Sequence, residues 1–300
     1  MDYNLQKYIA FLTAVDNGSI TGASEILNYS QSGISRMIGD LEKEWHMSLL
    51  ERNKYGVELT SEGTKLLPLI RGVCNEFQNL SAVVDELQGL ETGLIRIGTI
   101  SSAATHILPD VIKRFRADYS GVRYEVLLGD YNEIENWVQS GRVDVGFVLL
   151  PTRDKFDTIA FYHDEMMVLL PKGHRLTEYD RIPLKEIAKE SFILQENDNN
   201  TTTRQFFTKH GVSLNVEFAT WDDYAIMSMV ESGLGISVLP DLILKRCPYD
   251  IELRPLEQPF MREMGIIMKN REKLPIAMKR FLEYMDLKNA LDGSETSVDK

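Results

Sequence analysis

Three hundred residues, 43% hydrophobic and 26% charged, are ordinary for a globular chain long enough to bury more than one core, about two domains. A formal charge of −12 argues against attraction of the whole protein to nucleic acid or to an anionic membrane, and no apolar run approaches the ~20 residues of a spanning helix. Two cysteines, Cys74 and Cys247, form neither a disulfide framework nor a metal knuckle, and Met1-Asp2-Tyr3-Asn4 starts without a secretory pattern, so a cytoplasmic chain without metal or cofactor is expected.

Up to Leu90 the pattern is almost wholly helical. Leu5, Tyr8, Ile9 and Leu12 make one apolar face that Gly18 ends. Thr21–Leu27 reads as a short second helix with Ala23, Ile26 and Leu27 inward, and Asn28-Tyr29 turns the chain. Ser30 is a good N-cap for a third helix over about 30–41, buried through Ile34, Ile38 and Leu41. Two short helices around a tight turn are the helix-turn-helix layout, whose second helix can lie in a major groove.

The opposite face of that helix offers Gln31, Ser32, Ser35 and Arg36. Gln can pair bidentately with adenine and Arg with guanine, while Ser30, the serine hydroxyls and the free N–H groups at a helix start can hold phosphates, with Thr21 beside them. Leu49–Arg52 and Val57–Thr60 flank the turn-rich Asn53-Lys54-Tyr55-Gly56, a small β-wing that points Arg52 and Lys54 at a phosphate backbone. Against this, residues 1–60 hold five Lys/Arg and eight Asp/Glu, a net of 5 − 8 = −3. An ordinary three-helix module used for protein contacts is therefore the competing reading.

Leu66, Ile70, Val73, Phe77, Leu80, Val84 and Leu87 follow at spacings of 4, 3, 4, 3, 4 and 3, a heptad seam that predicts a dimer. The same spacing also suits a helix packed on its own chain, and Pro68 inside it removes one helix hydrogen bond. From Leu94 onward, short β-rich runs alternate with helical stretches, the signature of an α/β sheet. The runs are Leu94–Thr99, Arg123–Leu128, Val143–Leu149, Met166–Leu170, Phe192–Gln195, Asn215–Ala219 and Ile236–Leu239; Asp292–Lys300 reads as a polar tail.

Ala23-Ser24-Glu25-Ile26-Leu27, Ser30 through Arg36, Leu41-Glu42, Leu49-Leu50-Glu51-Arg52 and Leu59-Thr60-Ser61-Glu62-Gly63 together resemble the LysR-type transcriptional regulators. Ile95-Arg96-Ile97-Gly98, Gly141 through Gly146, and Gly233 through Pro240 extend the likeness over nearly the whole chain. Ser32 stands where members often carry proline, Gly22 where a basic residue is common, and Leu50 where Phe is common. The resemblance implies a mostly α winged helix-turn-helix domain, a long linker helix, and an α/β effector domain of periplasmic-binding-protein type. It also implies double-stranded promoter DNA and a small-molecule effector as partners, and a homo-oligomer, dimer or tetramer.

The expected division is 1–60 for the DNA-binding domain, 61–90 for the linker helix and 91–300 for the effector domain. Lobe 1 takes about 91–161 and 265–290 and lobe 2 about 162–264, with a first crossing near Tyr162–Glu165 and, by the resemblance, a return near Met264. In open α/β sheets ligands lie beyond the carboxyl ends of strands, beside helix starts. Those positions hold Ser101, Ser102, Asp130, Tyr131, Thr201, Thr202 and Trp221, and the resemblance puts Ser102, Tyr131 and Thr202 on commonly used effector positions. The serines, threonines and Asp130 are also good helix caps, Trp221 suits a flat ligand or the wall between lobes, and the nearby Asp130, Asp222 and Asp223 leave anionic, zwitterionic and neutral effectors all open. Five scattered histidines, with His163-Asp164-Glu165 the one dense titratable run, and the lack of Walker, HExxH, GxSxG or GxGxxG motifs leave no catalytic candidate. A solute-binding or protein-interaction module without sequence-specific DNA binding is the alternative.

Overall fold

The computed structural model describes residues 4–53, 56–87, 92–196 and 202–285. Lys54, Thr201, the Leu87 side chain and the tail Asp292–Lys300 lie outside the described residues. The chain opens with α1 (Leu5–Asp16), α2 (Ile20–Leu27) and α3 (Gln31–Trp45). Ser19 caps α2 and Ser30 caps α3, each by accepting an N–H three residues on, Gly22 and Gly33 respectively. Asn28 takes the left-handed conformation at the end of α2, a place asparagine tolerates. Ile34, Ile38 and Leu41 of α3 are buried against Phe11, Leu12 and Ala23; each such side chain contributes roughly 1.5–3 kcal/mol by leaving water.

Ile26 departs from expectation and is 57% exposed. The inward arc of α2 is Ile20, Ala23, Ser24 and Leu27, and Ile26 lies two residues, about 200° of helix rotation, beyond Ser24. The wing is the hairpin of β1 (Leu50–Asn53) and β2 (Gly56–Leu59). Glu42 anchors its start by accepting the N–H groups of Leu49 and Leu50 at 2.7 and 3.1 Å. Gly56, at φ 139°, lies against the Gly18 carbonyl so closely that a Cβ would sit 2.1 Å from that oxygen. Val57 N–H bonds the same carbonyl at 3.0 Å.

The linker is α4 (Ser61–Leu87), unbroken through Pro68. Its first half is docked on the N-terminal module: Ile70 is 3% exposed, and it joins Cys74, Leu66 and Leu67 in that core. Leu66 and Ile70 are therefore not part of a free seam. The exposed stripe instead runs Leu69, Val73, Phe77, Leu80 and Val84, because heptad spacing does not reveal which turn of the helix its own chain claims.

Beyond it come β3 (Thr92–Thr99), α5 (Ser101–His106), α6 (Leu108–Asp118), β4 (Gly121–Leu128), α7 (Tyr131–Ser140) and β5 (Val145–Leu149). A long strand, β6 (Asp157–Pro171), leads to α8 (Leu184–Ile187), β7 (Ser191–Gln195), α9 (Thr202–Lys209), β8 (Asn215–Thr220), α10 (Asp223–Glu231), β9 (Ser237–Pro240) and α11 (Asp241–Leu244). The described chain closes with β10 (Ile251–Pro255), β11 (Met261–Met268) and α12 (Ile276–Glu283).

This is a two-lobed α/β fold. In the first lobe β3 lies between β4 and β5, parallel to both, and β11 adds antiparallel to β5. Alternation sends Ile95, Ile97, Val145 and Phe147 toward α6 and α12, and Val148 toward Ile134 and Val138 of α7. Gly146 faces α7, where a Cβ would sit 2.6 Å from Ile134 Cγ2. In the second lobe β6 pairs with β9 and β10, and β7 pairs with β8.

The lobes share two strands. The first part of β6, Asp157–Glu165, pairs with β11, and its continuation from Met166 pairs with β9 and β10. The expected crossing at 162–165 is thus the middle of one continuous strand. Among the described residues no helix is long and apolar enough to cross a membrane.

Candidate functional site

Two places carry clustered polar side chains. At the first, the N-terminal turn of α3, Gln31, Ser32 and Arg36 are exposed on the face opposite Ile34 and Ile38. Ser30 Oγ lies 3.1 Å from Ser32 Oγ, so both hydroxyls edge the helix start. Arg52 of the wing donates to Ser35 Oγ at 3.0 Å, so wing and helix present one surface. Arg36 is 84% exposed, with Asp40 3.9 Å away; so exposed a pair has little claim on its side chain. Thr21 is exposed on α2. Tyr29, 44% exposed at the foot of α3, belongs to the same surface, and no periodicity in the sequence marks it.

The second place is the cleft between the lobes. Ser102 stands in the first turn of α5, 4% exposed, and Tyr131 opens α7. Where β6 and β11 pass from lobe to lobe, Asp164 and Arg262 meet: Nε and Nη2 of Arg262 donate to Asp164 Oδ2 at 3.0 and 2.6 Å. Arg262 Nη2 also lies 3.5 Å from Ser102 Oγ. The other Asp164 oxygen accepts the Leu242 N–H at 3.1 Å, tying α11 to the crossing. Asp164 is 2% exposed, so the pair is held away from solvent.

From the second lobe come Gln195, at the end of β7, and Asp223, at the start of α10; the Gln195 amide donates to Asp223 Oδ1. Burial pushes the Asp223 carboxyl up to about 6, with Arg262 opposing and Asp222 reinforcing the rise. Burial likewise raises the Tyr131 phenol against the pull of Arg262, with Asp223 and Asp164 adding to the rise. Tyr131, Arg262 and Asp223 therefore act on one another across the cleft.

The expected cleft residues divide. Ser102 and Tyr131 sit in this cluster. Ser101 and Thr202 are exposed at the starts of α5 and α9, and Trp221 is 69% exposed. Asp130 is engaged in a capping box, accepting Glu133 N–H at 2.8 Å while Glu133 accepts its own N–H. In the sequence Asp164 stands out only as part of the titratable run His163-Asp164-Glu165, and Gln195 and Arg262 not at all. The one available signal was alternation in His163-Asp164-Glu165: Asp164 points inward, whereas His163 and Glu165 face Glu263 and Arg181 outside.

A polar joint links the N-terminal module to the first lobe. Arg71 of α4, 5% exposed, grips Asp16 of α1 at 2.7 and 2.9 Å. Arg142, just past α7, reaches Asp16 at 3.5 Å and Glu125 at 2.7 Å. Asn75 of α4 donates to the Gly141 carbonyl at 3.1 Å and accepts from Arg96 at 2.6 Å. A cavity of about 350 Å³ lies beside this joint, between α4 and the loop after β11.

Residues 5–64 match the family described as bacterial regulatory helix-turn-helix protein, lysR family, and residues 88–288 match the LysR substrate binding domain. A probable HTH-type transcriptional regulator, LrrA, of Synechococcus elongatus is 31% identical over 264 residues, 87% of this chain and 89% of that protein. An uncharacterized HTH-type transcriptional regulator of Bacillus subtilis, YvbU, is 28% identical over 91% of this chain and 94% of its own length. Among solved structures, a full-length OxyR variant from Pseudomonas aeruginosa superimposes with a TM-score of 0.72 at 20% identity, over 94% of this chain and 97% of that one. Full-length CbnR complexed with its target DNA gives 0.66 at 16% identity, over 96% and 99%. These two likenesses establish the fold.

Proposed function

The chain belongs to the LysR family of transcriptional regulators, and from that premise we propose a division of labour in which residues 1–60 read DNA, 61–90 join two copies, and 91–300 sense a small molecule. In this reading Gln31, Ser32, Ser35 and Arg36 face the major groove, where glutamine and arginine discriminate bases by bidentate pairing. Ser30, Thr21, Arg52 and Lys54 take phosphates and set the register. The acidic remainder of the module is compatible with this, because the α3 tip itself is free of acids between Gln31 and Arg36.

The stripe Leu69, Val73, Phe77, Leu80 and Val84 gives a second copy an apolar face to cover. Two α3 helices related by that two-fold axis then suit a dyad-symmetric site with half-sites about one DNA turn apart. A small molecule seated among Ser102, Tyr131, Arg262 and Asp223 draws the lobes together about the two shared strands. The movement reaches DNA through the joint at Asp16, Arg71, Asn75 and Arg142, and it shifts the oligomer between DNA-bound states as far as the ligand's differential affinity allows. On this reading the protein is a cytoplasmic binding protein and not an enzyme, as its membership of a family of transcriptional regulators supports.

The observation that supports the reading most directly is the α3 tip, polar side chains turned outward from a spine of buried Ile34, Ile38 and Leu41. Arg36→Ala is expected to abolish specific retention of a promoter fragment in a gel-shift assay while the sedimentation of the oligomer stays unchanged. Unaltered promoter affinity would remove α3 from the DNA interface.

A further inference from the structure

We propose that Glu42, well past the N-terminal turn of α3, is a positioning residue for sequence reading: it fastens the start of the wing to α3 so that Arg52 meets Ser35 and the two parts of the surface move as one. The inference rests on reading α3 as the helix that faces DNA. Ser35 and Glu42 are seven residues apart, two turns of helix, so they share one stripe of α3 about 10.5 Å apart along its axis. β1 runs back along that stripe. Glu42 Oε1 holds its start, accepting Leu49 N–H at 2.7 Å and Leu50 N–H at 3.1 Å. Two residues on, about 7 Å of strand, Arg52 Nη1 donates to Ser35 Oγ at 3.0 Å.

Helix and strand are thus bound at both ends of one stripe, and a carboxylate that takes two backbone N–H groups is the stronger end. Val57, on the other strand of the hairpin, is tied to the Gly18 carbonyl and not to α3. The bond at Ser35 has two consequences for DNA. Ser35 Oγ accepts, so its own hydroxyl proton is left to donate outward, to a base edge or a phosphate. Arg52 uses Nη1 alone, and its Nε and Nη2 take no partner among the described residues. One arginine therefore orients a base-reading hydroxyl and still offers donors to the backbone of the duplex.

Charge and position make opposite predictions for Glu42. It is one of eight acids in a module of net −3, so charge alone says that a neutral residue here improves attraction to DNA of every sequence. Position says that what matters is an oxygen at the right reach. Contacts that discriminate bases need their groups held within about 0.5 Å, and a wing released at Leu49 and Leu50 no longer brings Arg52 to Ser35. The loss then falls on the chosen sequence and not on DNA in general.

The test uses the full-length protein and two DNA probes of equal length at one salt concentration: the fragment retained from DNA flanking its own gene, and that fragment with its sequence scrambled. The ratio of the two affinities is read. Glu42→Gln keeps the reach and an accepting oxygen but drops the charge; Glu42→Asp keeps the charge but is one methylene too short. Expected is a ratio within about three-fold of the parent in Glu42→Gln and a fall of at least about ten-fold in Glu42→Asp, with scrambled-probe affinity little changed in either. Because Glu42 acts through Arg52, adding Glu42→Asp to Arg52→Ala should lower the ratio by less than about three-fold more. A ratio preserved in Glu42→Asp, or lost in Glu42→Gln as far as in Glu42→Asp, overturns the proposal. Full additivity with Arg52→Ala overturns it too, as does a parallel loss on both probes with lowered circular dichroism, the mark of a residue that serves the fold alone. A parent protein that prefers neither probe overturns the DNA reading itself and the role of Glu42 with it.

Discussion

Asp223→Asn makes a prediction about stability that is independent of any ligand. The Asp223 carboxyl is raised from 3.8 to about 6, chiefly by burial. The folded state thus holds this proton more tightly than the unfolded chain does. Its contribution to stability is fully present below the unfolded value, and it is lost as pH rises from about 4 through about 6. Two units at 1.36 kcal/mol each give about 3 kcal/mol by which the ionised side chain opposes folding at pH 8 relative to pH 3. Solvent at the cleft mouth screens part of that, so about 1–3 kcal/mol is expected. Asparagine is nearly isosteric and uncharged. The variant should therefore melt about 2–12 °C above the parent at pH 8, using about 2–4 °C per kcal/mol, and within about 1 °C of it near pH 3. Thermal melts of both proteins at half-unit pH intervals measure the difference directly. A variant less stable than the parent at pH 8, or a difference that does not change with pH, would refute the assignment of Asp223 as a charge held in the cleft at a cost to the fold. Such a cost is characteristic of a group retained for binding.

Other consequences lie elsewhere in the chain. Phe77→Glu puts a charge in the middle of the exposed stripe on α4 and should convert the oligomer to monomer in sedimentation velocity, with promoter affinity falling at least about ten-fold through loss of the second half-site; an unchanged sedimentation coefficient removes the stripe from the interface. Arg71→Ala leaves Asp16 facing Arg142 at 3.5 Å as its remaining partner, and breaking so buried a pair should cost about 3–5 kcal/mol in urea unfolding; a loss below about 1 kcal/mol would show that the joint is not held there. Ile38→Ala, fully buried in the N-terminal core, should cost about 2–5 kcal/mol, measured by the same unfolding curve.

The third helix and its exposed polar face were legible because three independent local signals agree on them: the Ser30 cap, the spacing of Ile34, Ile38 and Leu41, and the turn at Asn28. Where only one signal is available, reading becomes ambiguous. The heptad register fits Leu66 and Ile70 as well as it fits Val73 and Phe77, and only packing against Phe11 and Leu12 tells which pair is claimed by the chain itself. Ile26 looks like core by composition, and its angular position on α2 decides otherwise. The middle of β6 carries three polar residues in a row, His163-Asp164-Glu165, and so reads as a link, although it is the strand that joins the lobes. In β10 every residue of Ile251–Pro255 is only half-buried, which leaves no alternation to detect.

The cleft was legible in outline and not in its charges. Strand ends and helix starts locate Ser102 and Tyr131, since such positions follow from the α/β pattern. Asp164 and Arg262 are separated by 98 residues, and nothing local in either segment announces the other. Without that pair, an arginine in the cleft reads as an isolated cation; with it, Arg262 is tied through two of its nitrogens to Asp164.

The claim on which the rest depends is that the outward face of α3 reads DNA although its module is acidic. The most direct measurement is retention by the purified oligomer of DNA fragments flanking its own gene, at 50 and 200 mM salt. The account predicts selective retention of a dyad-symmetric fragment, with affinity falling about 10³-fold or more between those concentrations if six or more phosphates are contacted across the dimer. An intact oligomer that retains no fragment, or retains all of them with no dependence on salt, would contradict it.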